Sequence, residues 1–203
     1  MLSVTLHWKK IRELQANASN DRISLLRADF KRLNRPVVFD QLVSDEEFEA
    51  VSDIIASVRF GFGAISTDPH LPIWLGEIGR NSRPVKVALS AIQSFTGVPF
   101  NLINCHINLQ LHGLDGAFHT DVGDPTEGVT HALNWYVHPY DWPTEYGGYL
   151  LMGENPRNLR AVLPARNSAV LIPARLRHCA MAPTRRAGTH ARMSLTLKLS
   201  VTQ

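Results

Sequence analysis

The stretch Ile103-Asn104-Cys105-His106-Ile107-Asn108-Leu109-Gln110-Leu111-His112 alternates apolar and polar side chains without a break. A period of two sets the apolar residues on one face and Asn104, His106, Asn108, Gln110 and His112 on the other, the pattern of a β-strand with one face on a core. The polar face carries no formal charge, which is unusual for a face that meets only bulk water. Similar segments follow at Thr130 to Val137, Gly148 to Met152, Leu159 to Leu163, Ser168 to Ile172 and Ala191 to Val201. Turns rich in Gly, Pro, Asp and Asn separate them.

Before residue 99 the pattern is helical. Ile11, Leu14, Ile23, Leu26 and Phe30 recur at helical spacing within residues 8–34, and Pro36 ends that region. Val37-Val38-Phe39 reads as a short strand. Ser44-Asp45-Glu46-Glu47 is a capping box that predicts a helix from Asp45 to about Val58, burying Phe48, Val51, Ile54 and Ile55. Residues 60–82 hold Gly61, Gly63, Pro69, Pro72, Gly76 and Gly79, and read as a long loop that serves as a flap over a site. A further helix is expected from Val85 to Phe95. Helices followed by a run of short antiparallel strands predict a sandwich or barrel with helices on one outer face.

The chain has 203 residues, 44% of them hydrophobic and 19% charged. That length and composition predict one folded domain, and exclude a coiled coil, a collagen-like chain and a disordered tail. No run of apolar residues is long enough for a transmembrane helix, and the first residues lack a secretory signal pattern. Two cysteines, Cys105 and Cys179, fit a reduced cytoplasmic protein better than a disulfide framework. The net charge of +3 permits an acidic partner without arguing for one.

The chemistry sits in His119-Thr120-Asp121. On a strand or its end, residues two apart point the same way, so one imidazole and one carboxylate reach one point. His178, just after the apolar run Ala169 to Pro173, is placed to supply a third ligand. Two histidines and one carboxylate leave coordination positions open, as in the non-haem iron facial triad. Taken alone, a histidine two residues before an aspartate is a common surface turn. Downstream, Arg192, Ser194 and Thr196 share one face of the last strand, and Met193, Leu195 and Leu197 the other. An arginine turned into a barrel needs an anion: a ligand carboxylate, or an acidic residue of the protein itself.

These residues, with Asn134-Trp135-Tyr136-Val137, Gly147-Gly148-Tyr149-Leu150 and Asn167-Ser168-Ala169-Val170-Leu171, resemble the iron(II)/2-oxoglutarate-dependent oxygenases, and among them the prolyl 4-hydroxylase-like branch. The resemblance covers the C-terminal half and an opening at Pro36 to Val58. It implies a mostly β fold with flanking α: a double-stranded β-helix, or jelly-roll, braced by N-terminal helices. Residues 1–98 would then give the helical support and flap, and residues 99–203 the catalytic core. It implies His119, Asp121 and His178 as Fe(II) ligands, with Arg192, Ser194 and Tyr136 on the 2-oxoglutarate carboxylate. His106, Asn108, Gln110 and Asn134 would line the substrate pocket. The implied reaction consumes dioxygen, with ascorbate as reductant, and couples release of succinate and carbon dioxide to hydroxylation of an unactivated C–H bond. The gap from His178 to Arg192 is longer than the branch usually has, which leaves Arg186 as a second candidate anchor, but Arg192 is favoured because it alone sits on an alternating strand followed by Ser194. Tyr136 has a plainer alternative as a core aromatic beside Trp135.

The expected substrate is a small molecule, an amino acid or biosynthetic intermediate, and the alternative is a prolyl-type residue of a peptide. No membrane partner is expected, and no aromatic-and-basic run calls for nucleic acid. A cupin-like metal protein that does not use 2-oxoglutarate is the competitor from another class. It would have no need of the Arg192 and Ser194 pair. His131, His138 and His190 read as loop or edge residues, and Tyr140-Asp141-Trp142 as packing or the rim of a mouth.

Overall fold

The computed structural model describes residues 4–6, 35–64, 71–122, 128–155 and 157–201. The helical expectation for residues 8–34 lies outside the described residues. The strands are β1 (Val4–Leu6), β2 (Val37–Phe39), β3 (Phe60–Ala64), β4 (Ile73–Gly76), β5 (Phe100–Gln110), β6 (His131–Tyr136), β7 (Leu150–Met152), β8 (Arg160–Val162), β9 (Ala169–Pro173), β10 (His178–Ala180) and β11 (Arg192–Val201). Two helices, α1 (Asp45–Ala56) and α2 (Arg83–Thr96), complete the main elements. The fold is therefore mostly β, in two sheets. The larger has the order β1-β2-β9-β6-β11-β5-β4-β3, and the smaller β10-β7-β8.

The alternating stretch is the core of β5, which pairs antiparallel with β11 along its length, Gln110 opposite Arg192 and Phe100 opposite Val201. On the far side of β11 lies β6, with Ser194 opposite Tyr136 and Thr196 opposite Asn134. One face of this sheet meets the helices. Leu195, Leu197, Leu199, Leu133, Trp135, Leu171 and Ile107 form one buried cluster with Phe48, Val51 and Ile55 of α1 and Val85, Ala88 and Ile92 of α2. The rings of Phe48 and Trp135 meet edge-on with centroids 6.1 Å apart.

α1 starts as its capping box predicts: Ser44 Oγ accepts from the Glu47 amide at 3.3 Å. It ends at Ala56, two residues before the expected end, and the buried set includes Ser52 while Ile54 is half-buried. Asn167 locks the helix entry to β6. Its backbone is left-handed (φ 61°), a conformation asparagine tolerates better than most residues. Its amide donates to Val43 O at 2.9 Å and its Oδ1 accepts from Trp135 Nε1 at 3.2 Å.

The expected flap at residues 60–82 is corrected in part. Phe60–Ala64 and Ile73–Gly76 are strands that pair with each other, and β4 extends the larger sheet beyond β5, Leu75 opposite Asn108. Glycines at Gly61 and Gly63 hid this alternation, because they leave one face of β3 without side chains. β10 was also unanticipated: His178-Cys179-Ala180 is too short for a period to register. Its partners are β7 on one side and the segment 116–119 on the other, with Gly116 N to Ala180 O at 2.9 Å.

The inner face of the larger sheet changes character across its width. At β9 and β6, Val170, Ile172 and Tyr136 pack on Leu150 and Met152 of the smaller sheet. At β11 and β5 the same face is polar, at β4 it presents Ile73 and Leu75, and together they line a cavity of about 600 Å³. Among the described residues, no helix is long and apolar enough to cross a membrane.

Candidate metal centre and anion pocket

His119 and His178 face each other across an antiparallel bridge: His119 N donates to His178 O at 3.0 Å and His178 N to His119 O at 2.9 Å. The rings lie 4.4 Å apart. Asp121, two residues on, is fixed by its amide donating to Ala174 O at 2.8 Å. The three side chains converge: His119 and Asp121 point the same way, as their spacing predicts, and the bridge brings His178 to them. His178 Nε2 lies 3.3 Å from Asp121 Oδ2, and His119 Nε2 lies 3.7 Å from Asp121 Oδ1. All three candidate ligand atoms fall within 4.8 Å of one another.

The donor set fits a divalent ion. His119 Nδ1 is 2.8 Å from Ala117 O and His178 Nδ1 is 2.9 Å from Leu176 O. A carbonyl only accepts, so each Nδ1 carries a proton and each Nε2 faces inward, donating to Asp121 while it is protonated and free to give its lone pair to an ion once it is not. Burial disfavours the Asp121 charge, yet hydrogen bonds from His119 and His178, reinforced by the charges of His178 and Lys198, hold its carboxyl far below the usual range. Burial lowers the His119 pKa, but the Asp121 carboxylate outweighs it and the net direction is upward.

Arg192 is 1% exposed and lines the same cavity as this cluster. Its Nη1 donates to Gln110 Oε1 at 2.6 Å and its Nη2 to the Tyr136 hydroxyl at 3.4 Å, while Nε has no partner. No carboxylate among the described residues pairs with it, so the internal salt bridge weighed above is not what holds this charge. Gln110 is itself anchored, donating to Leu114 O at 2.9 Å and Ala180 O at 3.1 Å. Gly148 lies against the guanidinium stem: a Cβ there would sit 3.2 Å from Arg192 Cδ. Arg186, the other candidate anchor, is exposed on a short 3-10 turn at Arg185–Ala187.

The expected pocket residues His106, Asn108, Gln110 and Asn134 all line the cavity, as does Ser194, expected on the 2-oxoglutarate carboxylate. Tyr136 reaches the site through Arg192 and otherwise packs in the inter-sheet apolar cluster. Asn108, Thr196 and Asn134 form a chain across three strands, Asn108 Nδ2 to Thr196 Oγ1 at 3.1 Å and Thr196 Oγ1 to Asn134 Oδ1 at 2.9 Å. His106 is pushed down to about 4, first by burial and then by the Lys198 charge, so it presents a neutral imidazole near pH 7.

Lys198 was overlooked in the sequence reading. It continues the cavity face of β11 after Arg192, Ser194 and Thr196, and its Nζ lies 3.7 Å from Asp121 Oδ1. Period two along β11 was the available signal. Two histidines need correction. His131 begins β6, and His138 is fully buried beside Trp142 with ring centroids 4.6 Å apart. Trp142 is buried packing rather than a rim.

Comparison with protein-family models and with curated proteins gave no match. Comparison with solved structures did. A 2OG-Fe(II) oxygenase family oxidoreductase from Burkholderia pseudomallei is 12% identical with a TM-score of 0.65, over 98% of this chain and 96% of that one. A prolyl hydroxylase from Trichoplax adhaerens, in complex with a hypoxia inducible factor oxygen degradation domain peptide, is 14% identical with a TM-score of 0.66, over 91% and 94%. The non-haem α-ketoglutarate-dependent epimerase SnoN from nogalamycin biosynthesis is 14% identical with a TM-score of 0.60, over 89% and 83%. The chain thus has the fold of the 2-oxoglutarate and iron(II) oxygenases, the class its motifs resemble.

Proposed function

We propose that the chain is an Fe(II)- and 2-oxoglutarate-dependent dioxygenase, working as a single oxygenase domain with a double-stranded β-helix core. It hydroxylates an unactivated C–H bond of a small molecule, an amino acid or biosynthetic intermediate, with release of succinate and carbon dioxide. The observation that carries this reading is a buried Arg192 with no carboxylate partner among the described residues, in one cavity with the cluster His119, Asp121 and His178. A metal protein of the cupin kind has no use for a guanidinium held there at the cost of its hydration.

Bound iron and 2-oxoglutarate supply the oxidising power when present. The chain supplies position. His119, Asp121 and His178, which line the cavity, would hold the metal there. Arg192 takes the distal carboxylate of 2-oxoglutarate through donors that Gln110 keeps aimed, with the Tyr136 hydroxyl as a further contact. Ser194, opposite Asn108 and Tyr136 on the neighbouring strands, supports that carboxylate. A cavity of about 600 Å³ between two sheets has room for the cosubstrate and a second small molecule.

The test is succinate release from 2-oxoglutarate in the presence of Fe(II) and ascorbate. Asp121→Ala is expected to abolish it. Succinate release that survives His119→Ala would reject the metal assignment, and metal binding without 2-oxoglutarate binding would favour the cupin-like alternative. The Trichoplax neighbour's peptide motivates a second reading, a prolyl-type side-chain hydroxylase. Proline-containing peptides stimulating succinate release where free amino acids do not would select it.

A further inference from the structure

We infer that Lys198 reads an anionic group on the substrate, so that the substrate is a small amphiphile: an acid with an apolar body. The inference rests on the oxygenase reading above and extends it to the substrate class.

Charge balance is the first support. One ferrous ion, the Asp121 carboxylate, the 2-oxoglutarate dianion and the Arg192 guanidinium neutralise one another. Of the other charged residues on the lining, Glu77 and Arg80 are exposed and offset each other, which leaves Lys198 as the surplus cation, its side chain only 27% exposed. Among the described residues its ion pair is with Asp121 alone, at 3.7 Å, and Asp121 is the carboxylate that a metal engages. The neighbouring polar groups do not replace that partner. His106 is a neutral imidazole, and Asn108, Thr196 and Asn134 are hydrogen-bonded to one another. A half-buried ammonium without a counter-ion favours an anion from the ligand.

The flank of the same sheet, beyond β5, gives the second support. Leu71, Ile73, Leu75 and Ile78 line the same cavity. Ile73 is buried, and Leu75 stands opposite Asn108 on the cavity face of β4. A cation left over once Arg192 is matched, beside an aliphatic flank in the same space, suits a ligand with an acidic head and a hydrocarbon body. Arg80, also at the rim, is exposed and tied to the carbonyls of Leu102 and Ile103, so it does not compete for the acid.

The experiment uses full-length protein loaded with Zn(II) and saturating 2-oxoglutarate, which binds without turning over. Hexanoate, hexyl phosphate and 1-hexanol are titrated by calorimetry. The expected result is that an acid binds about tenfold or more tighter than the alcohol, that Lys198→Met removes this preference, and that Lys198→Arg retains it. Preference for hexanoate over hexyl phosphate marks a carboxylate substrate, and the reverse a phosphate. A merely structural role for Lys198 would weaken Zn(II) or 2-oxoglutarate binding and leave the acid-to-alcohol ratio unchanged. That result, or equal binding of acid and alcohol to the unaltered protein, overturns the inference while the oxygenase reading stands. Failure of 2-oxoglutarate itself to bind rejects the oxygenase reading, and this inference with it.

Discussion

The two faces of β11 share a backbone and differ in almost everything else. Leu195, Leu197 and Leu199 are fully buried in the apolar cluster against the helices. Arg192, Ser194, Thr196 and Lys198, each one residue away, line the cavity. The first face stores stability through apolar area removed from water. The second gives some of it up, since a buried guanidinium with an unpartnered Nε and an Asn108 oxygen without a donor both lose hydration. The lesson is that a period-two strand separates folding from chemistry by a peptide's width, so substitutions at adjacent positions should fail in different ways.

The largest effect is expected on the cavity side. His178→Ala should lower 2-oxoglutarate turnover by about a thousandfold or more and abolish metal binding, with the fold intact by circular dichroism. Turnover within tenfold of the parent protein would remove His178 from the site. On the helix side, Leu195→Ala should cost about 3 kcal/mol of unfolding free energy, read by urea titration, because it opens a cavity in a dry cluster. A cost under about 1 kcal/mol would mean that this face is not the core.

Arg192→Met sharpens the contrast. It should weaken 2-oxoglutarate binding by about 100-fold in calorimetry while leaving stability unchanged or raised, since an apolar chain replaces a poorly partnered buried charge. Arg186→Ala should leave binding as it is. If Arg186→Ala costs affinity and Arg192→Met does not, the anchor assignment moves to the exposed turn.

The smallest effect concerns pH. Burial, followed by the Arg192 charge, pushes His138 down to about 3 in the folded protein, against an ordinary value of 6.5. The unfolded chain therefore takes up the proton first. The neutral ring's contribution is complete above pH 6.5 and is lost as pH falls toward 3. At pH about 5 the loss should be about 2 kcal/mol, and His138→Phe should flatten the pH dependence of the urea midpoint between about pH 7.5 and 5. Parallel pH profiles for the two proteins would show that His138 carries none of that dependence.

Local rules made much of this molecule legible. The alternation at 103–112 and 192–201 identified the two long strands, and the Ser44 box placed the start of α1. The spacing of His119 and Asp121 told that they reach one point, because side-chain direction within a strand depends on the residue's own backbone. Other features had no local signal. β3 was hidden by its glycines and β10 by its length of three residues. His138 is buried against Tyr140 and Trp142 of its own loop, a stretch with no periodicity to mark it.

By itself the sequence determined which residue types face together along each strand, since period two needs no partner. Two things were decided by tertiary structure alone: that His178 lies across a bridge from His119, and that Lys198 reaches Asp121. Each depends on register between strands far apart in the chain. That register is set by the burial of the opposite, apolar face, where Leu195 and Leu197 must meet Trp135 and Leu133.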